Sequence, residues 1–310
     1  MAAVTEAILA LNGPTASGKS SLAVAVAQEL IACGRPAEIV NVDSMLVYRG
    51  MDIGTAKPSV AERGGVPHHL IDILDVTQTA SVADLQALAR AAIAEAQGRG
   101  AIPLVVGGSA LYLRAVLDDF QFPGTDPQVR ARWEAELERV GAEALHARLR
   151  EASPEAAAEI LPGNGRRIVR ALEVIELTGS FVPTLPAWTY LLPGVVQWGL
   201  DLPREVMDER IDARVDAMWE AGLVDEVRGL VPRGLREGRT ASRALGYRQV
   251  LQFLDGELTE EEAKQATKRG TRRFARKQLG WFRRDPRIQW RLANGPGLVA
   301  EIVADALARS

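Results

Sequence analysis

The sequence predicts an α/β fold: a parallel sheet flanked by helices, with an inserted all-helical domain. Three observations predict it. An apolar strand, a glycine-rich loop and a helix follow one another over Ala7–Cys33. Strand, loop and helix then recur before residue 120, which is the doubly wound pattern. Beyond that point the strand signal stops and helical periodicity takes over to about residue 178.

Each element has its reason. Ala7–Leu11 is a short apolar run suited to a buried strand. Gly13–Ser20 is the glycine-rich loop. A helix runs from about Gly18 to Cys33, with Leu22, Val26, Leu30 and Cys33 at helical spacing, and Gly34 and Pro36 stop it. Glu38–Val42 is the second strand, ending at Asp43. Arg49 to Pro67 is loop-like, broken by Gly50, Gly54, Pro58, Gly64 and Gly65. Ser81 and Asp84 cap an alanine-rich helix that ends near Gly98–Gly100. Ala101–Val106 is the third strand, closed by Gly107-Gly108-Ser109, and a helix through Leu111, Leu113 and Leu117 follows. Gln121–Pro127 is turn-rich, Val129–Thr178 helical, and Val182–Pro193 a linker. Gln197–Leu202 returns as a strand, and from Arg204 the chain is mostly helical again. The expected division is therefore 1–120 plus 197–310 as the α/β core and 121–196 as the helical insertion.

Composition excludes several classes. A chain of 310 residues, 47% hydrophobic and 25% charged, buries a substantial core without staples. Its single cysteine, Cys33, excludes an internal disulfide and a cysteine zinc site, and three histidines make a histidine-rich metal site improbable. No apolar run approaches the roughly 18 residues of a membrane span. The N-terminus lacks the basic stretch of a signal peptide, so a cytoplasmic location is expected.

The net charge of −3, from 37 basic and 40 acidic residues, hides an asymmetry. From Lys264 to Arg287 there are ten basic residues against one acid, Asp285. Such a run is either a polyanion-binding patch or a solvated helix face. Phe274, Trp281 and Phe282 are interleaved with it. Helical spacing places 274, 278, 281 and 282 on one side, expected to be buried. It places 268, 272 and 276 on another, and that side keeps the polyanion reading.

Gly13, Pro14, Thr15, Ala16, Ser17, Gly18, Lys19 and Ser20 match G-x-x-x-x-G-K-[ST] between a strand and a helix. That context makes the fold P-loop NTPase-like. Loop N–H groups and the helix N-terminus attract phosphate oxygens. Lys19 reaches the terminal phosphate, and Ser20 suits Mg²⁺. A chance match in this length is on the order of one per cent, so a bound di- or triphosphate is expected. A motor or switch NTPase needs a second acid at the end of an apolar strand. Ile102–Val106 ends instead in Gly-Gly-Ser. Asp43 is the strand-terminal acid nearest the loop, placed as a base, an N-cap or a group behind Mg²⁺.

Seven segments carry a resemblance: GPTASGKS at 13–20, DSMLVYRGMDIGTAKP at 43–58, PHHLIDI at 67–73, VVGGSALYL at 105–113, RALEV at 170–174, RALGYRQ at 243–249 and RKQLGWFRR at 276–284. Together they resemble the tRNA dimethylallyltransferases over about residues 8–290. The resemblance implies transfer of a dimethylallyl group from dimethylallyl diphosphate to N6 of adenosine 37, in tRNAs reading codons that begin with U. It implies Mg²⁺ as cofactor and a phosphate loop that holds the donor's diphosphate, which agrees with the missing second acid. It assigns Asp43 as the base and Ser109, where the family usually has threonine, as a contact to the substrate adenosine. One of Arg210 and Arg214 contacts the diphosphate. Motif matching makes Asp43, Ser44, Met45, Leu46, Ser109, Arg130, Arg166, Arg167 and Arg170 tRNA-facing. The same holds for Arg243, Gly246, Tyr247, Arg248, Gln249, Arg276, Lys277, Gln278, Trp281 and Arg283. The helical insertion would clasp the anticodon stem. Gly280 replaces the family's usual threonine, and the zinc finger of eukaryotic members is absent. Two rivals remain: a relative that prenylates free adenine nucleotide and a P-loop small-molecule kinase. The expected partners are tRNA and dimethylallyl diphosphate, with no membrane, and a monomer is expected.

Overall fold

The computed structural model describes residues 7–309. Those up to Asp118 and from Tyr190 onward form one unit, and Asp119–Thr189 a second. The larger unit holds six parallel strands: β1 (Ile8–Asn12), β2 (Ala37–Asn41), β3 (His68–His69), β4 (Ile102–Gly107), β5 (Val195–Asp201) and β6 (Ile288–Leu292). Their order across the sheet is β3-β2-β4-β1-β5-β6. Every residue of β1, β2 and β4 is buried, as parallel strands covered on both faces require.

The helices of this unit are α1 (Lys19–Ala32), α2 (Val82–Gly98) and α3 (Ala110–Leu117) before the insertion. One face of the sheet packs Val26, Ala27 and Leu30 of α1 against Leu9, Leu104 and Trp198. The other packs Ala89 and Ile93 of α2 and Leu113 and Leu117 of α3 against Ile8, Val40 and Val105. α1 ends where expected, with Gly34 in the left-handed region at φ 77°. Ser81 caps α2 by accepting from the Asp84 N–H.

The smaller unit contains α4 (Pro127–Val140), α5 (Ala142–Ala152), α6 (Pro154–Glu159) and α7 (Gly165–Thr178). Its own core is Leu145, Leu149, Ile160, Ile168 and Leu172, with Trp133 and Leu137 packed on it. His146 is buried there, with Nε2 within hydrogen-bonding distance of the Ala157 and Ile160 carbonyls. The division falls at 118/119 and 189/190, earlier on the return than the expected 196/197. Tyr190 already pairs with Asp118 in the larger unit.

The C-terminal part adds α8 (Arg204–Glu220), α9 (Leu223–Leu230), α10 (Tyr247–Leu254), α11 (Glu260–Phe282) and α12 (Leu298–Ala308). Two strands depart from the sequence reading. The two-residue β3 falls just past the stretch read as loop, and β6 lies where helix was expected. β6, IQWRL, is polar enough to lack a strand signal because it is the sheet edge, paired only with β5. With all strands parallel, the C-terminal ends of β1, β2 and β4 share one edge. The phosphate loop, Asp43 and Gly107-Gly108 meet there.

Candidate active site

The phosphate loop links β1 to α1 through three unusual backbone positions. Gly13 is at φ +156°, and a Cβ there would meet Ser17 Oγ at 2.9 Å and the Leu200 backbone at 3.3 Å. Ala16 takes φ 61° without being glycine, and Gly18 starts α1 at φ 87°. A left-handed alanine costs about 1 kcal/mol, tolerated because it turns the loop around an open space. The first turn of α1 contains no acid, so its positive end is not offset.

That space is a cavity of about 660 Å³, walled by the loop, Asp43, Leu46, Thr55–Pro58, Gly107, Gly108, Arg210, Arg214, Phe274 and Gln278. Lys19 and Ser20 both line it. Lys19 Nζ donates to the Pro14 carbonyl at 2.6 Å. Burial, reinforced by Arg214 and opposed by Asp43, lowers the Lys19 pKa to about 8. Arg214 donates to Thr15 Oγ1 at 3.4 Å and to the Thr55 carbonyl at 3.2 Å. Burial lowers its pKa too, against the pull of Asp43. Arg210 also lines the cavity but donates to Asn294 at 2.9 Å. Of the two candidate arginines, Arg214 is therefore the one bonded to the phosphate loop.

Asp43 follows β2. Its N–H donates to Asn41 Oδ1 at 3.0 Å, and Asn41 in turn donates to the carbonyls of Asp43 and Leu70. Asp43 Oδ1 accepts the Met45 N–H at 2.9 Å. The carboxylate is thus oriented from its own turn while its residue lines the cavity. Ser44 is tied to Tyr112, whose phenol burial pushes up. Ser109 is half-buried at the N-cap of α3 and makes no capping bond to that helix.

The RKQLGWFRR helix behaves differently from expectation. Ala263, Thr267, Ala275, Gln278 and Phe282 form the buried side of α11. Phe274 and Trp281, expected inside, are 45% and 40% exposed, because they flank that side by about one residue's rotation. Phe274 lines the cavity. Gln278 lies inside: Oε1 accepts the Thr15 N–H at 2.9 Å, and Nε2 donates to the Gly108 carbonyl at 2.6 Å. It joins the phosphate loop to the loop after β4.

The expected polyanion side is occupied by acids. α8 carries Asp208, Asp212 and Asp216 at four-residue intervals, and α11 carries Lys264, Lys268, Arg272 and Arg276 at the same spacing. Lys264 and Lys268 both reach Asp216 at 2.7 Å, Arg272 reaches Asp212 at 2.6 Å, and Arg276 reaches Asp208 at 3.3 Å. Arg283 pairs with Asp201 at 3.3 Å, and Arg287 is held between Asp118 and Asp285. The solvent-facing stripe is instead Arg269, Arg273, Lys277, Trp281 and Arg284, all exposed, with the Arg284 guanidinium 4.8 Å from the Trp281 ring. Asp201 is a second strand-terminal acid, at the end of β5, which the sequence reading passed over. It lines a separate groove with Arg204, Arg276 and Arg283.

The remaining residues matched by motif scatter. Tyr247 is 0% exposed and Gln249 2%. Tyr247 donates to Glu226 at 2.5 Å, and Gln249 accepts the Gly246 N–H at 2.9 Å. Their side chains are buried and bonded to interior partners. Arg243 and Arg248 are exposed beside them. In the helical unit Arg166 and Arg167 are exposed. Arg130 and Arg170 are engaged by Glu173, and Arg170 also by the Pro123 and Gly124 carbonyls.

The chain is similar to known proteins in sequence and fold. Residues 46–285 match the family described as IPP transferase. The tRNA dimethylallyltransferase of Kineococcus radiotolerans is 66% identical over 91% of this chain and 90% of its own length. That of Thermobifida fusca is 62% identical over 94% and 92%. The crystal structure of a tRNA isopentenylpyrophosphate transferase from Bacillus halodurans superimposes with a TM-score of 0.71. It is 41% identical, covering 98% of this chain and 96% of that one. A eukaryotic dimethylallyltransferase captured acting on tRNA gives a TM-score of 0.77 at 25% identity, covering 98% and 77%.

Proposed function

The chain belongs to the IPP transferase family, and from that premise we propose that it moves a dimethylallyl group from dimethylallyl diphosphate to N6 of adenosine 37 in tRNA. One observation carries the reading. A diphosphate-type loop, two half-buried cations and a strand-terminal carboxylate line a single cavity.

The chemistry follows from charge. As the allylic C1–O bond breaks, its electron pair leaves on the diphosphate and positive charge spreads over the allyl group. Lys19, Arg214 and the loop N–H groups face the side where negative charge accumulates. Removing one such preorganised donor typically costs 10²–10³ in kcat. N6 is a poor nucleophile because its lone pair is delocalised into the ring. Its lone pair forms the new C–N bond, and Asp43 accepts the N6 proton. Ser109 faces the adenosine from the adjoining loop. A stacked loop base must be flipped out to reach such a cavity.

Ser20 is the side chain that would hold Mg²⁺. No three His, Cys, Asp or Glu side chains cluster among the described residues. A lone hydroxyl fits an ion that would be bound mainly through the diphosphate. Mg²⁺ bound there supplies positive charge against the leaving diphosphate.

The RNA would be gripped by the exposed cations Arg243, Arg248, Arg269, Arg273 and Lys277, with Trp281 as a stacking surface. The helical unit contributes Arg166 and Arg167 to the anticodon stem. A tRNA substrate supports a cytoplasmic location, and no helix among the described residues is long and apolar enough to cross a membrane.

One incubation tests the reading. Protein, Mg²⁺ and dimethylallyl diphosphate are mixed with an unmodified anticodon stem-loop, or with AMP, and read by mass spectrometry. Gain of a prenyl mass on the stem-loop alone is expected. Gain on AMP alone, or ATP turnover without RNA, would overturn it.

A further inference from the structure

Glu226, on α9, makes no contribution to the cavity wall, yet its carboxylate gathers four donors. Oε2 accepts the N–H groups of Asp52 at 2.9 Å and Ile53 at 2.7 Å. Oε1 accepts the Gly54 N–H at 3.3 Å and the Tyr247 hydroxyl at 2.5 Å. The three amides belong to one turn of the MDIGTAKP segment. The same turn continues into Thr55, Ala56, Lys57 and Pro58, which do wall the cavity. Its next carbonyl, that of Thr55, holds Arg214, which reaches the phosphate loop at Thr15.

The turn has little freedom elsewhere. A Cβ on Gly54 would lie 2.5 Å from the Tyr247 ring and 2.9 Å from Leu223, so the backbone is pressed onto α9 and α10. Lys57 is anchored to the Tyr48 carbonyl, Asp52 and Asp72. The Tyr247 phenol is pushed well above its ordinary range, by burial first and then by Glu226, so it stays a donor at any working pH.

We propose that Glu226, with Tyr247, is a positioning residue for donor binding: it fixes the Asp52–Thr55 turn so that the Thr55 carbonyl aims Arg214 at the diphosphate. This rests on the diphosphate-donor reading above. The connection runs from α9, through three amides and one carbonyl, to a guanidinium bonded to the phosphate loop. Without the carboxylate, three adjacent N–H groups lose their acceptor, and the turn that holds Arg214 is released.

The test uses inorganic diphosphate with Mg²⁺ as the probe, titrated calorimetrically, and a fluorescent anticodon stem-loop for RNA affinity. E226Q keeps the shape and one acceptor oxygen. It is expected to weaken diphosphate binding about tenfold while stem-loop affinity stays within twofold. In an R214K background the same change should add less than twofold, because the two act in series. Y247F removes one hydroxyl only and should shift diphosphate binding in the same direction by about threefold, which keeps the proposal testable if E226Q folds poorly. Unchanged diphosphate affinity in both variants would overturn the proposal. So would an undiminished E226Q effect in the R214K background, or a parallel loss of RNA and diphosphate binding. A wild-type protein that binds diphosphate but leaves the stem-loop unprenylated would sink the reaction assigned above and leave this result standing.

Discussion

Raising the pH from 7 to 9 should weaken donor binding about tenfold and make binding take up a proton. The cause is Lys19. Its pKa is lowered to about 8 by burial, with Arg214 adding to the effect and Asp43 resisting it. In the free protein about nine in ten Lys19 side chains are charged at pH 7, about half at pH 8 and about one in eleven at pH 9. A diphosphate beside the ammonium favours the charged form, so the bound pKa rises. The sign follows: binding is fully supported below pH 8 and is lost as pH climbs from there toward the bound pKa. The loss from pH 7 to 9 is about 1.4 kcal/mol. Uptake should be about half a proton per diphosphate at pH 8 and about 0.9 at pH 9. The donor's own phosphate titration, near pH 6, is over by then. Calorimetry at pH 8 in two buffers of different ionisation enthalpy reads the uptake directly. Lys19→Arg stays charged throughout and should show none. Equal affinity at pH 7 and 9, with no buffer dependence, would refute the claim that burial holds this charge in check.

Four further outcomes are expected. Asp43→Asn should leave stem-loop binding within twofold and lower single-turnover prenylation by 10²-fold or more; preserved turnover would remove Asp43 as the base. The double charge reversal Arg273→Glu with Lys277→Glu should weaken stem-loop binding and flatten its salt dependence, with each lost phosphate contact lowering the log–log slope by about 0.7–0.9. Removing Lys268 and Arg272, which face Asp216 and Asp212, should instead lower Tm by a few degrees and barely change the slope. The reverse pattern would return the polyanion role to the 268–272–276 side. Arg287→Met should cost about 3 kcal/mol by thermal denaturation. It leaves the buried Asp285 with Gln197 and the N–H of residue 287, and Asp118 with Arg114.

The sequence marks those parts of this protein that local chemistry dictates. The phosphate loop, Asp43 after its strand and the strand-loop-helix rhythm each carry a pattern within about twenty residues. The cavity brings Lys19, Ser20, Asp43, Arg210 and Arg214 together. What stayed illegible depends on partners distant in sequence. A run of four-spaced cations on α11 reads the same whether it faces solvent, RNA or another helix. Only the matching four-spaced aspartates on α8, 48 to 68 residues earlier, decide it. That second spacing was present in the sequence and is the signal that could have found the pairing. The same holds for Gln278 and Tyr247, which motif matching placed against RNA. Both lie within motif blocks rich in exposed arginines, but their own side chains turn inward to the Thr15 N–H and to Glu226. A motif block therefore groups residues that depend on one another without saying which side of the helix does the touching. Here Gln278 and Tyr247 bond inward to the phosphate loop and to Glu226, while Lys277, Trp281 and Arg248 beside them are exposed.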